Sequence, residues 1–101
     1  MKTIGCYYVY IVTNKNKTVL YTGISNDLLR RLAEHKEDSL NFNAKSFCGR
    51  YNVYFLLYYE LLEYAKDAIA REKEIKGWSR AKKELLINSF NPDWRFLNDE
   101  L

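Results

Sequence analysis

Glu72 is the residue whose position most needs a chemical explanation. Between Tyr64 and Lys76, helical spacing puts Ala65, Ala68, Ile69 and Ile75 on one arc of about 120°, with Glu72 near its middle. A carboxylate in a core-facing stripe is costly unless it is ion-paired, hydrogen-bonded or bound to a metal. A structural salt bridge and a functional carboxylate both meet that condition. Arg31 and His35 stand one turn apart on the border of a second apolar stripe, made of Leu28, Leu29, Leu32 and Ala33. An arginine there either faces a cleft or covers apolar surface with its stem. Nine tyrosines, against two Trp and five Phe, raise the number of hydroxyls that need partners if buried. By strand alternation Tyr8 and Tyr10 share one face, Tyr7 and Val9 the other, and Tyr21 lies on the same face as Gly23. Tyr10 and Tyr21 can stand side by side across a hairpin, or they can simply fill a core. Lys73, Lys76, Arg80, Lys82 and Lys83 surround Gly77-Trp78. Basic groups around an aromatic suit phosphate contact and base stacking, and a solvated helix face looks the same.

The elements that must position these groups follow from local pattern. Cys6 to Val12 reads as a strand buried on both faces, and Val19 to Ile24 as its hairpin partner. The turn between them holds Asn14 and Asn16, which tolerate positive φ. Gly23 marks a bulge or a close backbone approach. Ser25 or Asn26 caps a helix running to about Lys36, with Asp27 in its first turn. Residues Glu37 to Arg50 lack a clean period and read as a loop. Tyr51 to Glu60 is a third strand, and Tyr64 to Lys76 a second helix closed by Gly77. Ser79 caps a third helix that ends near Phe90, before Asn91-Pro92. The tail from Asp93 to Leu101 docks through Trp94, Phe96 and Leu97. The order β-β-α-β-α-α describes one α/β (α+β) domain over residues 1–101, a small, mainly antiparallel three-stranded sheet flanked by three helices.

Composition narrows the function classes. At 101 residues there is room for one domain, and 48% hydrophobic residues suffice for a core. A net charge of +3 and a pI near 8.8 lean toward polyanionic partners. Cys6 and Cys48 are too few and too far apart for a disulfide framework. With His35 as the only histidine, a zinc ligand set is not expected either. No membrane span or signal-peptide pattern stands out, so the expectation is a soluble, cytoplasmic protein, taken as a monomer.

Tyr8-Val9-Tyr10 followed by Tyr21-Thr22-Gly23 resembles the paired motif of the GIY-YIG nucleases. Arg31 lies ten residues past Tyr21, where that family places an arginine, and Glu72 matches its metal-binding glutamate. The pattern spans about Cys6 to Leu97. Ile75 to Arg80 and Asn91 to Trp94 look like the small stand-alone branch related to the excision-repair nuclease subunit. The resemblance implies hydrolysis of a phosphodiester with one divalent cation, Mg²⁺ or Mn²⁺, held by Glu72. It also implies that Arg31 stabilises phosphate charge and that Tyr10 and Tyr21 position or deprotonate the attacking water. His35 is a secondary candidate, and Asn91 matches a late asparagine near the family's site. Some branches carry a lysine after the second glycine. Ile24 stands there instead, so its positive charge must come from elsewhere, with Arg30 as a candidate. The expected partner is nucleic acid, DNA ahead of RNA. The competing readings are a non-catalytic nucleic-acid-binding module and a protein-interaction domain.

Overall fold

The computed structural model describes residues 6–41 and 44–101. The first strand, β1 (Tyr7–Thr13), is central; β2 (Leu20–Ser25) and β3 (Phe55–Leu62) flank it, both antiparallel, in the order β2-β1-β3. Four helices follow among the described residues: α1 (Leu28–Ser39), α2 (Phe47–Tyr51), α3 (Ala65–Lys76) and α4 (Arg80–Phe90), with a 3₁₀ turn at Asn98–Glu100. The expected α/β architecture is present, with one helix more than the sequence indicated. That extra helix, α2, lies in the segment read as a loop, of which residues 42 and 43 fall outside the described residues. Ser46 caps its start by accepting from Gly49 N–H, and Asn52 ends it in the left-handed conformation at φ 56°. The third strand therefore begins at Phe55 rather than Tyr51.

β1 is buried on both faces because helices cover both sides of the sheet. On one side Tyr10 and Val12 pack with Leu28 and Leu32 of α1, Cys48 of α2, and Val53, Leu56 and Leu97. On the other, Val9 and Ile11 meet Leu57, Ala68 and Ile75 of α3 and Ile87 of α4. The tail docks as expected. Leu97 N–H donates to the Leu56 carbonyl, and the Asn98 amide bonds Leu56 N–H and the Tyr54 carbonyl, which covers an otherwise open strand edge.

Three local readings change. In the β1–β2 turn, Lys17, not an asparagine, takes the positive φ, 58°. Asn14 serves differently: its carbonyl oxygen accepts from the N–H of Thr18 and of Val19. Asp27 is itself the cap of α1, accepting from Arg30 N–H at 3.1 Å, in place of Ser25 or Asn26. The buried residues of α1 are Leu28, Leu32 and His35, while Leu29 is 60% exposed. The stripe is rotated from the sequence reading, and His35 belongs to the core rather than to its border.

Candidate functional site

Register decides how the two motif tyrosines meet. Tyr10 pairs with Gly23 and Val12 with Tyr21, so Tyr10 and Tyr21 are diagonal neighbours on the α1 side of the sheet, not directly opposed. Gly23 is required at that position. A methyl group there would stand 2.4 Å from the Tyr10 hydroxyl oxygen and 2.5 Å from Cζ. Tyr10 is 1% exposed and has nowhere to retreat. The missing side chain lets the Tyr10 ring lie across β2, and its hydroxyl hydrogen-bonds His35 Nε2 at 2.9 Å.

That pair is dry, and burial sets its protonation. Desolvation pushes the Tyr10 phenol up to about 12, and Arg31 nearby only partly offsets the rise. His35 is held below the ordinary histidine range, first by burial and then by the positive charge of Arg31. Near neutral pH both groups are uncharged. The stability consequence has a definite sign. A histidine with a depressed folded-state pKa binds its proton more readily when unfolded, so stability falls as pH drops below about 6.5. The melting temperature of the wild-type protein should fall faster between pH 7 and pH 5 than that of His35→Gln. Parallel profiles would show that His35 is not held neutral.

Around this pair the neighbouring groups are more exposed. The Tyr21 ring is half-buried, edge-on to His35 at 6.1 Å and stacked with Phe47 at 5.7 Å. Lys76, from α3, holds its ammonium 5.5 Å from the Tyr21 ring centroid. The same ammonium is 3.0 Å from Glu72 Oε2. Ala68 and Ile75 on either side of Glu72 are fully buried, whereas Ile69 is exposed. The apolar arc of α3 is thus narrower than its sequence suggests, yet Glu72 still sits in it, its side chain only 15% exposed. Arg31 of α1 lies beside Tyr10, paired with Glu34 at 3.1 Å and half open to solvent.

The structure thereby joins five of the six proposed catalytic residues into one run: Glu72, Tyr21 through Lys76, His35, Tyr10 and Arg31. Asn91 is not part of it. It is buried, and its side-chain amide donates to the carbonyls of Leu57 and Arg95 and accepts from Arg95 N–H, which fixes the turn after α4. Lys76, expected as a nucleic-acid-binding lysine, stands in this run between Glu72 and Tyr21. Its signal was the Glu72–Lys76 spacing of one helical turn. Lys76, not Arg30, is the cation beside Tyr21; Arg30 is mostly exposed and faces Asp27.

Of the remaining basic residues, Arg80 ties α4 to the hairpin turn, donating to the carbonyls of Thr18 and Lys17 and to Glu84. Lys82 lies over the Trp78 ring at 4.4 Å, and Lys73 points to solvent. Lys83 is half-buried.

The donor set fits a hard cation. Glu72 offers one largely buried carboxylate, and the Lys76 ammonium already stands at it as a positive stand-in. No group of three or more His, Cys, Asp or Glu gathers among the described residues. Mg²⁺ commonly takes one or two protein carboxylates and completes its shell with water and substrate phosphate. Cys48 is a free, buried thiol pushed up to about 11 by desolvation, and it offers no thiolate.

The chain matches known proteins over most of its length. Residues 6–85 match the GIY-YIG catalytic domain. A UPF0213 protein of Natronomonas pharaonis is 41% identical over 81 residues, which cover 80% of this chain and 89% of that one. A UPF0213 protein of Staphylococcus saprophyticus is 34% identical over 82 residues, 81% and 94% of the two chains. The solution NMR structure of a UPF0213 protein from Bacillus halodurans superposes with a TM-score of 0.54 at 27% identity, covering 88% of this chain and 89% of that one. No helix among the described residues is long and apolar enough to cross a membrane.

Proposed function

This chain belongs to the GIY-YIG family, and we propose that it is a metal-dependent endonuclease that hydrolyses the phosphodiester backbone of DNA. The observation that carries the reading is the shared cation: one ammonium, Lys76, contacts both the Glu72 carboxylate and the Tyr21 ring. Groups distant in sequence are thereby brought together, with Arg31 beside Tyr10.

Each residue has a role set by its environment. Tyr21, half-open to solvent and with the Lys76 ammonium at its ring, acts as the phenolate, taking the proton of the attacking water and passing it to solvent. Tyr10, buried and pushed up to about 12, keeps its proton and with His35 forms the rigid floor behind Tyr21. Arg31 offers a forked donor to phosphate oxygens. Glu72 is the residue that would hold Mg²⁺ or Mn²⁺, which when bound polarises the phosphoryl group and stabilises the leaving oxygen. With a cation on Glu72, the Lys76 ammonium would be released to add positive charge at the phosphate. Purified protein incubated with Mn²⁺ or Mg²⁺ and labelled single-stranded, duplex, flapped and branched DNA and RNA tests the reading. Cutting of at least one DNA substrate is expected, and an intact panel overturns it.

To Lys73, Lys82 and Lys83 of the same basic run we assign contact with the nucleic-acid backbone. Replacing all three with glutamine should weaken binding to every sequence alike. For duplex DNA the log–log dependence of affinity on salt should flatten by roughly 0.9 per lost phosphate contact. An unchanged slope would assign these lysines to a solvated face. Arg80 is excluded from the set because its loss would also loosen the turn at Lys17 and Thr18.

A further inference from the structure

The Tyr21 ring continues outward into two further aromatic rings. Phe47 stacks on Tyr21 with centroids 5.7 Å apart and an interplanar angle of 22°, and Tyr51 follows at 4.9 Å from Phe47. Phe47 and Tyr51 are one helical turn apart on α2, which turns Cys48 and Gly49 inward and leaves the two rings 44% and 52% exposed. Single exposed aromatics are ordinary, but a run of rings that starts at the proposed base and reaches open solvent is not. Its surroundings are basic. Lys45 and Arg50 are exposed, and neither has an ion pair among the described residues. Beside α2 an open polar hollow of about 690 Å³ is lined by Lys45, Arg50 and Asn52, among others.

We propose that Phe47 and Tyr51 form a stacking platform for an unpaired nucleobase next to the phosphate in the cleft, with Lys45 and Arg50 taking the adjoining backbone. The inference rests on the nuclease reading and narrows its substrate to single-stranded nucleic acid or an unpaired segment. Every base presents a π-face, so such a platform binds without sequence preference, and a base inside a duplex cannot reach it without leaving its stack. The positive charge at Lys45 and Arg50 complements the strand that carries the base. In a duplex the same rings would meet only the sugar-phosphate edge.

The test is a binding measurement in EDTA, so that no cleavage intervenes. The probes are a short single-stranded DNA, its duplex, and versions of the single strand with one abasic position moved along its length. Tyr51→Leu keeps apolar bulk and removes the ring. It should weaken single-strand binding roughly 10-fold while leaving duplex binding nearly unchanged. Tyr51→Trp should restore it. In wild-type protein one abasic position should cost about as much as the variant, and that position should cost Tyr51→Leu nothing further. Equal losses on single strand and duplex, or losses from variant and lesion that simply add, overturn the platform. A flat abasic profile on the wild-type protein does so alone, whatever the variants' folding. A protein that shows the coupling but cuts nothing would keep the platform and refute the nuclease. One that cuts with a flat profile would do the reverse.

Discussion

Tyr21→Phe should cut DNA roughly 10²–10⁴-fold more slowly than the wild-type protein, the range that positioned proton transfer typically supplies. The ring remains, so its contacts with Phe47 and His35 remain, and the melting temperature should hardly move. Tyr10→Phe should behave in the opposite way. It strips His35 Nε2 of its hydrogen-bond partner at a site 2% exposed. Leaving a buried polar group unpaired costs about 1–3 kcal/mol, so this variant should melt lower. Its rate should fall less than that of Tyr21→Phe, since the lost hydroxyl carries no transferred proton. Single-turnover rates and melting curves of the two variants separate the roles. A rate loss larger for Tyr10→Phe would exchange the assignments, and trivial losses in both would remove the phenols from catalysis.

Glu72→Gln should abolish the response of the protein to Mn²⁺ without unfolding it. A ligand that binds only the folded state stabilises it by about 2.7 kcal/mol at a hundredfold excess over Kd, a shift readily seen in a melting curve. The wild-type protein should show that rise and the glutamine variant none. In EDTA the two should agree within about 1 kcal/mol, because Lys76 keeps 46% of its side chain in water and tolerates the loss of its partner. A large destabilisation in EDTA would make the pair structural. A melting temperature that still climbs with Mn²⁺ would move the metal elsewhere.

What could be read from the chain before folding was local. The Tyr, Val and Ile residues of Cys6 to Val12, the Ser79 cap and the apolar spacing around Glu72 are short-range signals, and the strand and helices they mark are present. Tyr and Val at residues 51–54 favour strand, yet α2 ends there at Asn52. Five residues are too few to show a helical period, and the capping pair Ser46 and Asn52 was the sole available signal.

The site was legible in its types and not in its geometry. Tyr10, Tyr21, Arg31 and Glu72 follow from motif and spacing. The burial of His35 depends on Tyr10 reaching it across Gly23, a contact between residues 25 apart in sequence. The carbonyls of Lys17 and Thr18 reach Arg80 from the hairpin, and Leu57 and Arg95 hold the Asn91 amide, partners that residue type and spacing do not display. In each case long-range packing, which no window of sequence contains, decides what a polar side chain does. The position of Glu72, by contrast, is a property of one helix. That is why its partial burial was foreseeable although its partner Lys76 was assigned another task.

The most direct measurement is a paired cleavage time course started by metal. Wild-type protein and Glu72→Gln are each bound to the same labelled DNA in EDTA, and excess Mn²⁺ is then added. Equal occupancy is expected before the metal, complete cutting by the wild-type protein after it, and intact DNA still bound by the variant. Cutting at the wild-type rate by Glu72→Gln, or no cutting by either protein, would contradict that expectation.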